Sequence, residues 1–120
     1  MIKIGKDISK FSNYSCQPRT KKELQGIIKS RTKKEGNNCN LNDIDTSLIT
    51  DMSELFADSK FNGNISKWDV SNVTNMRNMF VFSKFNRDIS NWNIRPDCST
   101  KYMFLDCPIR REYKPKSLQK

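Results

Sequence analysis

Asp43 and Asp45, in the stretch "LNDIDTS", are the first side chains of this 120-residue chain whose spacing could do chemistry. Alternation along an extended segment puts both on one face, where paired carboxylates can act as general acid and base or hold a hard cation. The rest of the sequence argues against that use. Twenty-four residues on, the same positions hold Lys67 and Asp69, and a further 24 on they hold Asn91 and Asn93. A reacting pair would not change chemistry from copy to copy, so these positions read as a solvated strip. There is no histidine, which removes the Ser-His and Cys-His nucleophile arrangements, and the four glycines build no phosphate loop. Cys16, Cys39, Cys98 and Cys107 contain no C-x-x-C pair and read as buried or idle thiols rather than zinc ligands. The expectation is a protein that is not an enzyme and carries no cofactor or metal.

The elements that position this strip repeat. Phe61 pairs with Phe85, Ile65 with Ile89, Trp68 with Trp92 and Val70 with Ile94, all at an offset of 24, and "ITDMSELF" answers "VTNMRNMF" at the same offset. Three turns result, about 41–64, 65–88 and 89–107. Within the middle one, Lys67 to Val70 alternates with period two and suits a short strand. Met76, Met79 and Phe80 follow at spacings of three and four, which suit one or two helical turns capped by Thr74 or Asn75. One strand plus one short helix per 24 residues predicts an α/β repeat, a short leucine-rich-repeat-like solenoid of about three turns stacked in parallel. The period and parity of Trp68 and Trp92 place them in a core ladder. In the third copy, Asp97 and Thr100 replace Val73 and Met76, the polar outer layer that a C-terminal cap needs.

Ahead of the repeats, "RTKKELQGIIKSRTKKEG" carries a capping box, Thr20 with Glu23, then Leu24, Ile27 and Ile28 on one face and a stop at Gly36. It predicts an N-terminal capping helix with Lys22, Lys29 and Lys33 facing water. "KDISKF", residues 6–11, echoes "NISKW" out of phase and suggests a strand. The organisation is thus an N-terminal segment and capping helix over 1–40, repeats over 41–107, and a basic tail over 108–120 whose last part is mobile.

Leu, Ile, Val and Phe account for 27 of the 120 residues, just above the ~20% below which charged chains tend to stay disordered. The net charge of +9 is carried by the flanks. No apolar run follows Lys3 and Lys6, so neither a signal peptide nor a membrane span is expected, and the chain is assigned to the cytoplasm as a monomer. Two binding surfaces emerge. In leucine-rich-repeat geometry, Asp43, Asp45, Lys67, Asp69, Asn91, Asn93 and Arg95 line the concave sheet, a mixed-charge strip suited to a protein partner. Lys22, Lys29 and Lys33, with Arg31 on the same helix and Arg110, Arg111, Lys114 and Lys116 in the tail, form a basic patch able to meet nucleic acid or an acidic protein face. With only Tyr113 among the aromatics there, contact would be through the phosphate backbone.

"LNDIDTSLITDMSELF", "FNGNISKWDVSNVTNMRNMF" and "FNRDISNWNI" together resemble the BspA-type leucine-rich repeat of bacterial surface and mobile-element proteins, over residues 41–104. The resemblance implies a non-catalytic solenoid that binds proteins, often outside the cell. Small size and the expected lack of export point instead to an intracellular protein-binding module, by analogy a phage-type, anti-CRISPR-like inhibitor or adaptor acting on a nucleic-acid-handling protein. The alternatives are nonspecific nucleic-acid binding through the flanks, or a fragment of a surface adhesin.

Overall fold

The computed structural model describes residues 14–119, and its first element is the helix the capping box predicts. Helix α1 spans Lys21–Glu35. Thr20 is extended and its hydroxyl accepts the Glu23 N–H at 3.1 Å, while the Glu23 carboxylate accepts the Arg19 N–H at 2.8 Å. One orphan amide of the helix start, that of Glu23, is satisfied this way, and the residue ahead of the cap is tied to the first turn. Gly36 ends the helix at φ 93°, its N–H donating to the Thr32 carbonyl. Leu24 and Ile28 are buried, and Lys22, Lys29 and Lys33 face water on the opposite side. The strand suggested for residues 6–11 lies outside the described residues.

The α/β repeat expected after it is not what forms. Among the described residues, α1 is the only α-helix, joined by two short 3-10 helices at Arg111–Tyr113 and Lys116–Leu118. β pairing among these residues is limited to four isolated parallel bridges: Cys16 with Ile44, Asn40 with Asn64, Asp51 with Asn75, and Asn75 with Ser99. Among the described residues there is no sheet, so the leucine-rich-repeat-like solenoid of strands and short helices is replaced by three stacked runs of tight turns.

Backbone hydrogen bonding explains the difference. From Met52 to Ser59 the N–H groups alternate between two uses. Those of Leu55, Ala57 and Ser59 donate three residues back, to Met52, Glu54 and Phe56. Those of Met52, Glu54, Phe56 and Asp58 donate to the carbonyls of Asn75, Arg77, Met79 and Val81 in the next turn. The following copy repeats this, with Met76, Asn78, Phe80 and Phe82 donating to Ser99, Lys101, Met103 and Leu105. An α-helix would have placed every one of these N–H groups four residues back in its own segment. The chain also reverses through left-handed residues spaced by 24: Glu54, Asn78 and Tyr102 at φ 56–59°, then Asp58, Phe82 and Asp106 at φ 55–58°. Two such residues in each run exclude a right-handed helix. Consecutive tight turns still bring Met76, Met79 and Phe80 to one side, so the apolar spacing of three and four is met without a helix.

The expected strand fails for a related reason. Burial alternates from Lys67 to Val70 as period two requires. However, Asn64, Asp69 and Asn75 each accept, on the side-chain oxygen, the N–H two residues on, from Ser66, Ser71 and Arg77. These side-chain turns bend the backbone every five or six residues, too often for a ladder. Thr74 and Asn75 therefore bracket a turn and cap no helix.

The core is a set of stacked side chains in the predicted register. Phe56, Phe80 and Phe104 stack at 5.5 and 5.6 Å within 7° of parallel, and Trp68 and Trp92 at 6.4 Å and 6°. Each indole N–H donates to a carbonyl one turn back, Trp68 to Leu41 at 2.9 Å and Trp92 to Ile65 at 3.0 Å. α1 closes one end through Leu24 and Ile28. The other end is closed over residues 86–89 by the first part of the tail. The Ile89 N–H donates to the Tyr113 carbonyl, the Arg110 N–H to the Asn86 side chain, and Ile109 is buried.

Candidate partner-binding surface

Without a sheet there is no concave sheet face for the strip to line, and its seven residues fall into two groups. Asp43 and Asp45 are covered by the chain itself. The Ser15 N–H donates to the Asp43 carbonyl and the Asp45 N–H to the Cys16 carbonyl, which lays residues 15–17 alongside them. The Asp43 carboxylate takes hydrogen bonds from the Ser15 hydroxyl and from Arg31 Nη1 at 2.9 and 3.1 Å. Asp45 is 7% exposed and accepts from Gln17 Nε2 at 3.0 Å and from the Ser47 N–H. Burial opposes ionisation of Asp43, but the bonds from Ser15 and Arg31 outweigh it and hold the carboxyl below the usual range. The same bond to Asp43 pushes Arg31 upward. A carboxylate kept ionised by its partners is a structural anchor and a poor proton donor at neutral pH. Arg31 also reaches Glu35 and the Asn40 carbonyl, so it joins α1 to the first turn rather than adding to a basic patch.

Lys67, Asp69, Asn91, Asn93 and Arg95 are exposed. The Trp68–Trp92 stack sets their register, with Lys67 beside Asn91 and Asp69 beside Asn93 in adjacent turns. Asp69 is held by the Ser71 N–H and hydroxyl, and Arg95 meets the Asp97 carboxylate at 2.8 and 3.0 Å. Asn91 borders two shallow hollows. One, of about 270 Å³, is lined by Asn64, Ser66, Arg87 and Asp88; the other, of about 400 Å³, by Asn93, Ile94, Lys116 and Ser117 among others. Lys116, expected as part of the basic tail, lies instead beside the strip, a placement the sequence did not suggest because no spacing ties the tail to the second and third turns. The N-terminal cover by Ser15 and Gln17 was missed for the same reason.

The basic residues do not converge. Lys22, Lys29 and Lys33 lie on α1, at the first-turn end of the stack. Arg110 and Arg111 lie at the third-turn end, where Arg110 sits 3.8 Å from Glu112 and Arg111 donates to the Gln119 carbonyl. Among the described residues no three His, Cys, Asp or Glu side chains come together as a metal site would require. No helix among them is long and apolar enough to cross a membrane.

These features define a protein of stacked 24-residue turns, closed at one end by a basic helix and covered over residues 86–89 at the other by its own tail, with a polar strip left over on its surface. The chain belongs to the family described as "Mycoplasma protein of unknown function, DUF285", whose family model matches residues 22–111. No curated protein and no solved structure matches it.

Proposed function

We propose that this chain is a non-catalytic module that binds another protein through Lys67, Asp69, Asn91, Asn93 and Arg95. The observation that carries the reading is the contrast between these residues and the other repeated ones. Phenylalanines, tryptophans and methionines at the 24-residue register fill the core, and Asn64, Asn75 and their counterparts tie turns. The strip residues remain exposed and change from copy to copy, which suits recognition. The "WDVSNVTNM" string further supports kinship with the BspA-type surface repeats. We place the protein in a reducing compartment, the cytoplasm, because Cys16, Cys39, Cys98 and Cys107 are all free thiols.

The test is affinity capture from host lysate with the wild-type chain, a Lys67→Glu/Arg95→Glu variant and a Lys22→Glu/Lys29→Glu/Lys33→Glu variant. Loss of a reproducible partner with the first variant alone, at unchanged melting temperature, supports the strip. Loss with the second alone moves the site to α1. A gel shift that is tight and falls steeply with salt would make nucleic acid the primary partner and overturn the reading.

A further inference from the structure

We propose that the third-turn edge of the stack, from Tyr102 to Asp106, is a docking ledge for an acidic, turn-forming segment of a partner protein. This deepens the protein-binding reading and rests on it. In the first turn the N–H groups of Glu54, Phe56 and Asp58 each donate to a carbonyl one turn on, and in the second those of Asn78, Phe80 and Phe82 do the same. Their counterparts in the third turn, Tyr102, Phe104 and Asp106, have no acceptor among the described residues. Yet the backbone is already shaped as in the paired turns, with Tyr102 at φ 59° and Asp106 at φ 55°. Three donors at alternate residues are therefore set in the register of a further turn.

The side chains around the donors point the same way. Tyr102 is 54% exposed and Leu105 47%. Tyr102 holds a left-handed conformation where the sibling turns place Glu54 and Asn78, and a bulky ring at such a position is strained. With more than half its surface in water, little core packing offsets that strain. Lys101 Nζ lies 5.2 Å from the Tyr102 ring centre and Lys114 Nζ 5.3 Å from that of Phe104. An incoming segment would supply carbonyls at alternate residues, an aromatic ring that displaces the Lys114 ammonium from the outer face of Phe104 and continues the Phe56–Phe80–Phe104 stack, and carboxylates for Lys101 and the displaced Lys114. Main-chain pairing of this kind gives affinity, and the side chains give selectivity.

The chain's own first turn shows what such a segment looks like. "ITDMSELFADSK", residues 49–60, carries three acids and one lysine with Phe56 at the stacking position. Continuing the observed register, Tyr102, Phe104 and Asp106 would donate to the carbonyls of Ser53, Leu55 and Ala57. A folded second copy is a poor occupant, because Lys21 of α1 already occupies the Ser53 carbonyl there, at 3.1 Å.

The probe is a fluorescein-labelled peptide of residues 49–60, titrated into the full chain by fluorescence anisotropy, with amide hydrogen exchange followed by NMR. Saturating peptide is expected to slow exchange at Tyr102, Phe104 and Asp106 at least about tenfold, and at no other exposed amide run. Lys101→Glu/Lys114→Glu is expected to weaken binding about tenfold, since two attractions become repulsions. A peptide with Asp51→Lys and Glu54→Lys is expected not to bind; Asp58 is kept, because in this register it meets Asp106. Unchanged exchange at the three amides of the wild-type chain, or equal binding by the Lys101→Glu/Lys114→Glu variant, overturns the ledge. If the ledge fails while Lys67→Glu/Arg95→Glu still abolishes partner capture, the protein-binding reading survives with the strip as its site.

Discussion

Gly63 separates what the repeat pattern allows from what the packing allows. Its counterpart 24 residues on is Arg87, so the pattern alone predicts that a side chain is tolerated. In the structure, a Cβ at Gly63 would lie 1.9 Å from the Cys39 carbonyl oxygen and 2.7 Å from the Phe61 ring. The obstruction is backbone, supplied by the connection from α1, and this connection hydrogen-bonds on both sides of the glycine. The Asn62 N–H donates to the Asn37 carbonyl at 2.7 Å and the Asn64 N–H to the Cys39 carbonyl at 3.3 Å. Gly63→Ala must push that connection away. Overpacking costs about 1–3 kcal/mol, and weakening two backbone hydrogen bonds adds about 1 kcal/mol. The total, about 2–4 kcal/mol, lowers the melting temperature of a domain this size by roughly 10–20 °C. Gly26→Ala provides the control, because a Cβ there meets nothing within 4 Å and the residue lies inside α1. That substitution is expected to stabilise by about 0.5–1 kcal/mol. Thermal unfolding followed by the fluorescence of the buried Trp68 and Trp92 measures both. A Gly63→Ala melting temperature within about 2 °C of wild type, or a Gly26→Ala variant less stable than wild type, refutes the reasoning.

Further outcomes follow from the same contacts. Phe80→Ala removes the fully buried middle ring of the stack and is expected to cost about 3–5 kcal/mol in urea unfolding, whereas Phe82→Asn, at an exposed left-handed position, should change stability by less than about 1 kcal/mol. Because its folded pKa is depressed, Asp43 contributes stability above the unfolded carboxylate value of ~3.9, and that contribution is lost as pH falls through the folded value. Asp43→Asn should therefore be less stable than wild type at pH 7, with the gap closing below about pH 4 in a pH series of unfolding curves. Trp92→Phe leaves the Ile65 carbonyl without its indole donor and should cost about 1–2 kcal/mol by urea denaturation.

Much of this was legible in the residues, but unevenly. Thr20, Glu23 and Gly36 mark the bounds of α1 because capping is local: the donors and acceptors lie within a few residues of one another. The strip was only half legible. Lys67, Asp69, Asn91, Asn93 and Arg95 keep the exposure that alternation assigns to them, while Asp43 and Asp45 are taken by Ser15, Gln17 and Arg31, none of which shares the 24-residue period.

By itself the sequence determined the register and the inside of this protein. An aromatic ring that recurs every 24 residues meets its own copy in the next turn whatever the backbone does between, so Phe56, Phe80 and Phe104 stack, as do Trp68 and Trp92. Only the tertiary structure decided that the turns contain neither strand nor helix. Spacings of three and four tell which side chains point inward, but they do not tell whether an N–H finds its carbonyl four residues back or 23 residues ahead. That choice exists only once a neighbouring turn is in place to offer the second carbonyl.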